Sequence, residues 1–264
     1  MPQTALYNRI GKGYNSTRKA DPYITQRLLN LLSVKEGDLY IDIGCGTGNY
    51  TNEFASKGIN IYGVEPSENM LEIAKQKSGS VNWLLGSAEN IPVKDTLFDG
   101  CTAILTIHHW TNLKSAFLEL KRVLKSHGQL LVFTSTPEQM QGYWLNHYFP
   151  EMMARSICRM PAINYIEQIA IEARFSITST EKYAVQPDLQ DHFLYSGKLN
   201  PSLYFEKNIR MGISSFASLA NRIEVKEGLS KLRKDIDANS FENIQGRYEN
   251  NLGDYLFILF EKID

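Results

Sequence analysis

The chain has 264 residues, of which 43% are hydrophobic and 11% aromatic. These values are ordinary for a soluble globular protein, and the length suits one large α/β domain with insertions. No apolar run approaches the roughly 18 residues that a membrane-spanning helix needs. The first residues also lack a signal-peptide pattern, so we expect a cytoplasmic protein without a membrane span.

The charges are balanced, with 28 basic and 29 acidic residues and a net charge of −1. Proteins that hold nucleic acid by its phosphates normally carry a basic stripe, so this balance disfavours a nucleic-acid partner. The three cysteines, Cys45, Cys101 and Cys158, lie far apart without a C-x-x-C pair. We therefore expect free thiols in a reducing compartment and no metal site.

A strand pattern that contains Asp42 runs into a turn with glycine at positions 44, 46 and 48. Such glycines let the backbone bend sharply and let a ligand reach main-chain N–H groups. A phosphate loop needs Gly-Lys-Ser/Thr, which this turn lacks, and the dinucleotide fingerprint needs glycine where Asn49 stands. Asp42 would repel a pyrophosphate but suits the ammonium group of an amino-acid ligand. The turn therefore predicts a nucleotide-like ligand that carries an amino group.

The next strand pattern ends in Glu65, and an acid at this point can accept both hydroxyls of a ribose. A short amphipathic helix, Tyr50–Lys57, lies between the two strands, and Ser67 is placed to cap the helix that follows. A third strand over Val81–Leu85 and a fourth over Cys101–Ile107 complete a β-α-β-α-β order. This order predicts a doubly wound α/β fold with a parallel sheet between helices.

Five motifs occur in a recognisable order between about residues 14 and 135. They are Asp42-Ile-Gly-Cys-Gly-Thr-Gly48, Gly63-Val-Glu-Pro-Ser67, Gly86-Ser-Ala-Glu-Asn-Ile-Pro92, Phe98-Asp99 and Arg122-Val-Leu-Lys-Ser-His-Gly128. Together they resemble the class I S-adenosylmethionine (SAM)-dependent methyltransferases, in the type 11 branch that includes ubiquinone-biosynthesis C-methyltransferases. The resemblance implies SAM as cofactor and a mostly parallel, seven-stranded Rossmann-like sheet with an antiparallel last strand.

The same resemblance implies roles for individual residues. Asp42, Gly44 and Gly46 would hold the methionine end of SAM, and Glu65 would hold its ribose. Tyr14 and Arg18 would close over the cofactor's carboxylate. The other implied cofactor-binding residues are Pro66, Met70, Ser87, Ala88, Glu89 and Thr106.

Ser87 departs from the family pattern, which often has an acid there to accept a hydrogen bond from the adenine amino group. Serine can still accept a bond but carries no charge. The adenine contact can therefore pass to Glu89 or to the main chain.

We predict one methyltransferase domain over residues 1–264, with an N-terminal cap (1–33) and a SAM-binding core (34–135). Two helical insertions, 136–165 and 187–246, would form a lid over the acceptor pocket. The fifth, sixth and last strands are predicted at Gln129–Ser135, Phe175–Val185 and Tyr255–Glu261. The first insertion is rich in methionine and aromatic residues. Helical spacing would put Met140, Tyr143, Trp144 and His147 on one face.

The acceptor pocket and the catalytic groups are predicted from position. The pocket candidates are Trp110, Tyr143, Trp144 and Tyr148, although such a face can equally dock a helix on the sheet. Methyl transfer needs chiefly the positioning of two reactants, and a base helps only if the acceptor must lose a proton. The candidate bases are His108 and His109 after strand four and His147 in the lid. Packing against Trp110 is the alternative for the first two.

The predicted function is transfer of the SAM methyl group to an oxygen, nitrogen or carbon atom of a small, partly apolar acceptor. Two other classes stay open: a tRNA or protein methyltransferase on the same fold, and a SAM-binding protein that transfers no methyl group. An arsenic methyltransferase would need several cysteines at the pocket, and only Cys158 falls in the predicted lid.

Overall fold

The computed structural model describes residues 17–263, and these contain one seven-stranded sheet. The strands are β1 Leu39–Ile43, β2 Asn60–Glu65, β3 Asn82–Leu85, β4 Phe98–Ile104, β5 Leu124–Thr134, β6 Phe175–Tyr183 and β7 Tyr255–Lys262. Their spatial order is β3-β2-β1-β4-β5-β7-β6, with β1 to β5 parallel. Strand β7 runs antiparallel between β5 and β6, which confirms the predicted sheet.

Helices cover both faces of this sheet. In chain order they are α1 Pro22–Leu31, α2 Asn49–Ser56, α3 Glu68–Lys77, α4 Leu113–Val123, α5 Pro137–Gln141, α6 Leu145–Tyr148, α7 Pro150–Ile157, α8 Ile163–Glu172, α9 Lys207–Gly212, α10 Ser214–Ser218, α11 Arg222–Asp237 and α12 Phe241–Gly246. Two short 3-10 turns, Ile107–His109 and Pro201–Phe205, complete the elements. Helix α3 begins as predicted, because the Ser67 hydroxyl accepts a hydrogen bond from the Met70 N–H group at 3.4 Å.

The two sides of the sheet bury different cores because side chains alternate along each strand. On β5, Leu131 and Phe133 face a core that includes α1, α2 and the helices of residues 137–157 and 207–246. Leu130 and Val132 face the opposite core, which holds α4 and α8. The predicted lid segments therefore share one hydrophobic core with the sheet.

Strand β4 ends at Ile104 and not at Ile107 as predicted. Leu105 adopts a φ of 52°, in the left-handed region that interrupts a strand. Its N–H group still donates to the Phe133 carbonyl of β5 at 2.7 Å, so the turn stays attached to the sheet. His108 and His109 consequently lie on a 3-10 turn beyond the strand.

The predicted continuous helical face at residues 140–147 is wrong, because α5 ends before Gly142 and α6 begins only at Leu145. The Trp144 side chain is fully buried between these helices. Its ring packs edge-on against Tyr148, Tyr204 and Phe241, with centroids 5.0–5.8 Å apart. The alternative interpretation, in which these side chains pack helices on the sheet and do not line a pocket, therefore describes this part of the chain.

We expect Trp144→Ala to destabilise the fold by about 3–5 kcal/mol, because it leaves a large cavity in a closely packed aromatic cluster. Urea unfolding measures this loss. Tyr165→Ala is the control, since Tyr165 is 49% exposed. Equal, small effects of the two substitutions would contradict the packing described for Trp144.

Candidate active site

The carboxyl ends of β1, β2 and β4 open into a cavity of about 740 Å³, here called the cofactor cavity. Known small-molecule sites span roughly 300–1,000 Å³, so a nucleoside-sized ligand fits. Ten of the twelve predicted cofactor-binding residues line it. They are Arg18, Gly44, Gly46, Glu65, Pro66, Met70, Ser87, Ala88, Glu89 and Thr106.

The Glu65 carboxylate is fixed at the end of β2 by two main-chain donors. Gly46 N–H donates to Oε2 at 3.0 Å, and Ser67 N–H donates to Oε1 at 2.9 Å. Burial raises the pKa of this carboxyl to about 7, although both hydrogen bonds act in the opposite direction. Each oxygen keeps a further lone pair, so the group can accept the two hydroxyls of a ribose.

The glycine turn packs against Thr106 only because Gly44 has no side chain. Gly44 has a φ of 67°, and a Cβ atom there would lie 2.1 Å from the Thr106 hydroxyl oxygen. Gly46 has a φ of 57° and donates its N–H group to Glu65. The turn and the acid of β2 are therefore one hydrogen-bonded unit, which suits the methionine and ribose parts of SAM.

Asp42 is buried and is not among the residues that line the cofactor cavity. Its oxygens accept hydrogen bonds from the Thr51 hydroxyl at 2.7 Å and from the Thr102 hydroxyl at 2.8 Å. Burial raises the pKa of Asp42 to about 6. In this arrangement Asp42 holds β1, α2 and β4 together, and its direct contact with the ammonium group stays a prediction. Tyr14, the other predicted residue, lies outside the described residues.

Ser87 and Glu89 both reach the cofactor cavity. One oxygen of Glu89 accepts hydrogen bonds from the N–H groups of Thr111 at 2.6 Å and Asn112 at 3.1 Å. This carboxylate therefore also fixes the loop that precedes α4. Trp110, which was predicted in the acceptor pocket, lines the cofactor cavity instead.

A second, smaller space of about 90 Å³ adjoins the cofactor cavity and is here called the inner cavity. The two spaces share the lining residues Arg18, Leu105 and His109. The remaining walls of the inner cavity come from β5, α5, α7, α10 and neighbouring loops. They are His108, Thr134, Ser135, Met140, Ser156, Arg159, Met160, Phe193, Leu194, Ile213, Ser214, Ser215, Ser218, Leu219 and Tyr255.

His108 and His109 both face the inner cavity, with ring centroids 3.9 Å apart. Burial lowers the pKa of His108 to about 4, and the positive charges of Arg159 and Arg18 add to this shift. The pKa of His109 is lowered well below its usual value, again chiefly by burial. Both imidazoles are therefore neutral near pH 7. The buried Nδ1 atom of His108 has no hydrogen-bond partner among the described residues.

Four predicted acceptor-side residues line neither cavity. Tyr143 is buried and donates its hydroxyl to the Asp254 carbonyl, and Trp144 donates its indole N–H to the Lys198 carbonyl at 3.2 Å. Tyr148 and His147 pack against each other, with ring centroids 4.9 Å apart. Tyr148 instead borders a surface groove beside α11. These side chains support the lid and do not touch the space beside the cofactor.

Sequence reasoning missed Arg159 and the α10 serines as wall residues. Arg159 and Met160 fall in the first predicted insertion, and residues 213–219 fall in the second. Serines and single arginines are common on solvated helices, so no local signal distinguishes them. Within residues 17–263 there is no cluster of three or more potential metal ligands. No described helix has the length and apolarity to cross a membrane.

Comparison with known proteins agrees with this geometry. Residues 41–132 match a family model described as a methyltransferase domain. A solved structure from Anabaena variabilis, described as a methyltransferase from an antibiotic biosynthesis pathway, is 30% identical with a TM-score of 0.81. The match covers 94% of this chain and 99% of that one.

Two curated relatives match about half of the chain. A malonyl-[acyl-carrier protein] O-methyltransferase from Serratia marcescens is 27% identical over 137 residues, covering 52% of this chain and 54% of its own length. A tRNA (carboxymethyluridine(34)-5-O)-methyltransferase from Saccharomyces cerevisiae is 31% identical over 138 residues, covering 51% and 48%. The chain spans about half the length of the curated relatives it matches.

The nearly full-length match, the sheet order and the cofactor cavity lead to one conclusion. The chain belongs to the class I SAM-dependent methyltransferases, enzymes whose methyl donor is SAM.

We expect Glu65→Ala to weaken binding of S-adenosylhomocysteine (SAH) by about 1–3 kcal/mol, because the buried ribose hydroxyls lose their acceptor. Isothermal titration calorimetry measures this change. Glu72→Ala is the matched control, because Glu72 lies on the exposed side of α3 in an ion pair with Lys75. Unchanged affinity in Glu65→Ala would overturn the ribose assignment.

The raised pKa of Glu65 also predicts that the stability of the cofactor-free protein depends on pH. Its pKa is about 7 in the folded chain, against an ordinary value of 4.5. The folded state binds this proton more tightly, so stability falls as pH rises from about 4.5 to 7, by on the order of 3 kcal/mol. Glu65→Gln should remove this part of the pH dependence.

Urea unfolding at pH 5 and pH 8 tests the shift. The difference between wild type and Glu65→Gln isolates this carboxyl from Asp42 and His108, which titrate over neighbouring ranges. If the free energies of unfolding of wild type and Glu65→Gln differ by the same amount at both pH values, the raised pKa is contradicted.

Proposed function

We propose that this protein transfers the methyl group of SAM to an oxygen, nitrogen or carbon atom of a small, partly apolar acceptor bound in the inner cavity. The main support is the junction of the two spaces at Leu105 and His109. An acceptor in the inner cavity would lie next to a cofactor held by Glu65 and the glycine turn. The small volume of about 90 Å³ favours a small reacting group.

The residues that line the inner cavity support an acceptor with both apolar and polar parts. Met140 and Met160 supply flexible apolar surface, which adapts to irregular shapes. Ser135, Ser156 and Ser215 supply hydroxyl groups that can donate or accept hydrogen bonds. This combination suits an apolar molecule that carries a few polar groups.

The chain's own contribution to the reaction is positioning and exclusion of water. Bound SAM supplies a methyl group on a positively charged sulfur, which a nucleophile displaces in line. The buried Nδ1 atom of His108 is free to accept a hydrogen bond or a proton from the acceptor. Because its pKa is about 4, this imidazole stays in the basic form at neutral pH. We propose His108 and His109 as the acceptor-side bases, where the acceptor has a proton to lose.

We further propose that residues 136–165 and 187–246 act as the acceptor-side cover of one domain. Arg18, which lines both cavities, forms an ion pair with the buried Asp191 of the second insertion. His192 N–H donates to the Thr17 carbonyl at 3.0 Å, and Gln190 N–H donates to the Asp21 carboxylate at 3.0 Å. These bonds hold the N-terminal cap and the second insertion together above the sheet.

A tRNA acceptor is the second candidate, because the yeast relative that is 31% identical is named as a tRNA methyltransferase. A net charge of −1 and the small volume of the inner cavity, about 90 Å³, favour the small molecule over the polyanion.

Transfer of labelled methyl groups separates these classes. The protein and methyl-labelled SAM are added together in three separate incubations. One contains a metabolite extract, one contains bulk tRNA, and one contains the protein fraction of the native cell. We expect label in the metabolite fraction. Label in tRNA or in protein would replace the proposal with that class, and binding of SAM without label in any fraction would favour a non-catalytic protein.

We expect Ser214→Trp to lower turnover of the labelled acceptor at least tenfold while SAH affinity stays within about threefold. The indole would fill the inner cavity without touching the cofactor cavity, which Ser214 does not line. Ala217→Trp on the same helix is the control, because Ala217 lines neither space. Full activity in Ser214→Trp, or loss of SAH binding, would put the acceptor elsewhere.

A further inference from the structure

The inner cavity shares part of its wall with a hollow on the protein surface. A hollow of about 390 Å³, here called the outer hollow, lies between α7 and α10. It is lined by Ala154, Arg155, Cys158, Arg159 and Leu219. Arg159 and Leu219 also line the inner cavity. The inner cavity therefore shares wall residues with both the cofactor cavity and the outer hollow.

The charges along the inner cavity and the outer hollow are unbalanced. Among residues 17–263, no aspartate or glutamate lines either space. The guanidinium of Arg18 is neutralised by Asp191, and that of Arg155 lies 3.5 Å from a carboxylate oxygen of Glu151. The side chain of Arg159, by contrast, has no ion pair or hydrogen bond with any residue between 17 and 263. One positive charge is thus left without a partner at the point where the two spaces meet.

We propose that Arg159 binds a carboxylate group of the methyl acceptor, which enters through the outer hollow and reaches its reacting atom into the inner cavity. This proposal rests on the proposed function, because it describes the acceptor of the same site.

The position of Arg159 indicates that the carboxylate binds the acceptor to the protein and is not the group that is methylated. Arg159 borders the inner cavity and the outer hollow but not the cofactor cavity. His109 and Leu105 lie at the cofactor end of the inner cavity, where the reacting atom must be. An acceptor that spans this distance carries its anionic group and its nucleophile at separate points. Arg159 is therefore a binding residue that positions the acceptor.

The number of unpaired positive charges in these spaces favours an acceptor group with a single negative charge. Among the described residues that line these two spaces, one guanidinium is unpaired, and its planar fork matches the two oxygens of a carboxylate. His108 and His109 add no positive charge at neutral pH, because burial keeps both imidazoles neutral. Within residues 17–263, a dianionic phosphate would therefore meet one unpaired cation in these spaces.

Binding of matched acid and amide probes tests the proposal. The panel runs from acetate and acetamide to 3-phenylpropanoate and 3-phenylpropanamide, titrated calorimetrically into protein saturated with SAH. We expect at least one acid to bind about fivefold tighter than its amide, the modest gain of a solvent-accessible ion pair. If no acid binds more tightly than its amide, the proposal is overturned.

Arginine variants identify the partner of the acid. Arg159→Gln should reduce the acid preference below about twofold, and Arg159→Lys should retain part of it. Arg155→Gln is the matched control, since it removes the same charge one helical turn away. Persistence of the preference in Arg159→Gln, or an equal loss in Arg155→Gln, would contradict a specific contact with Arg159.

Alkylation of Cys158 tests the entry route independently. Cys158 is exposed in the outer hollow, whereas Cys101 is buried and Cys45 is only partly accessible. N-ethylmaleimide should abolish acid binding but leave SAH binding intact, and Cys158→Ser should resist this effect. Unaltered acid binding after alkylation would exclude entry through the hollow. If the protein methylates only neutral acceptors, the proposed function stands and the binding of an acceptor carboxylate by Arg159 is overturned.

Discussion

The site depends on one buried carboxylate that joins two turns. Glu65 accepts the N–H groups of Gly46 and Ser67, so the turn after β1 and the first turn of α3 are fixed relative to each other. These two turns belong to adjacent parallel strands, whose carboxyl ends meet at one edge of the sheet. The cofactor cavity is therefore preorganised, and a ribose would find its acceptor already oriented. The cost is a buried acid with a raised pKa.

A second set of polar contacts joins the first described residues to the segment around Asp191. The ion pair between Arg18 and the buried Asp191 joins the beginning of the described chain to the second insertion. The Tyr50 hydroxyl, on α2, donates to the same Asp191 carboxylate at 3.3 Å. Helix α2, the residues around Arg18 and the segment around Asp191 thus meet at one carboxylate. Arg18 also borders both cavities, so this junction lies beside both spaces.

Aromatic residues of the first insertion illustrate why composition is a poor guide to a pocket. Tyr143 stacks on Tyr195 with centroids 3.9 Å apart, and Trp144 is enclosed by other rings. Large flat side chains gain most when fully buried, so a cluster of them tends to form core. The aromatic residues of the first insertion do not line the inner cavity, whose walls include two methionines and five serines. The first insertion is therefore held by its aromatic cluster, and the cavity is lined by other residues.

The sequence by itself determined the fold class, the cofactor and ten of the residues that line the cofactor cavity. Those residues lie in short contiguous motifs whose turns and strand ends follow from local chemistry, as with Gly46 and Glu65. Only the tertiary structure decided the walls of the inner cavity, because they combine Met140, Arg159 and Ser214 from separate segments. Their proximity depends on how helices of the two insertions pack on the sheet and on each other. Long-range packing leaves no periodic trace in any one segment, and a local pattern therefore could not predict it.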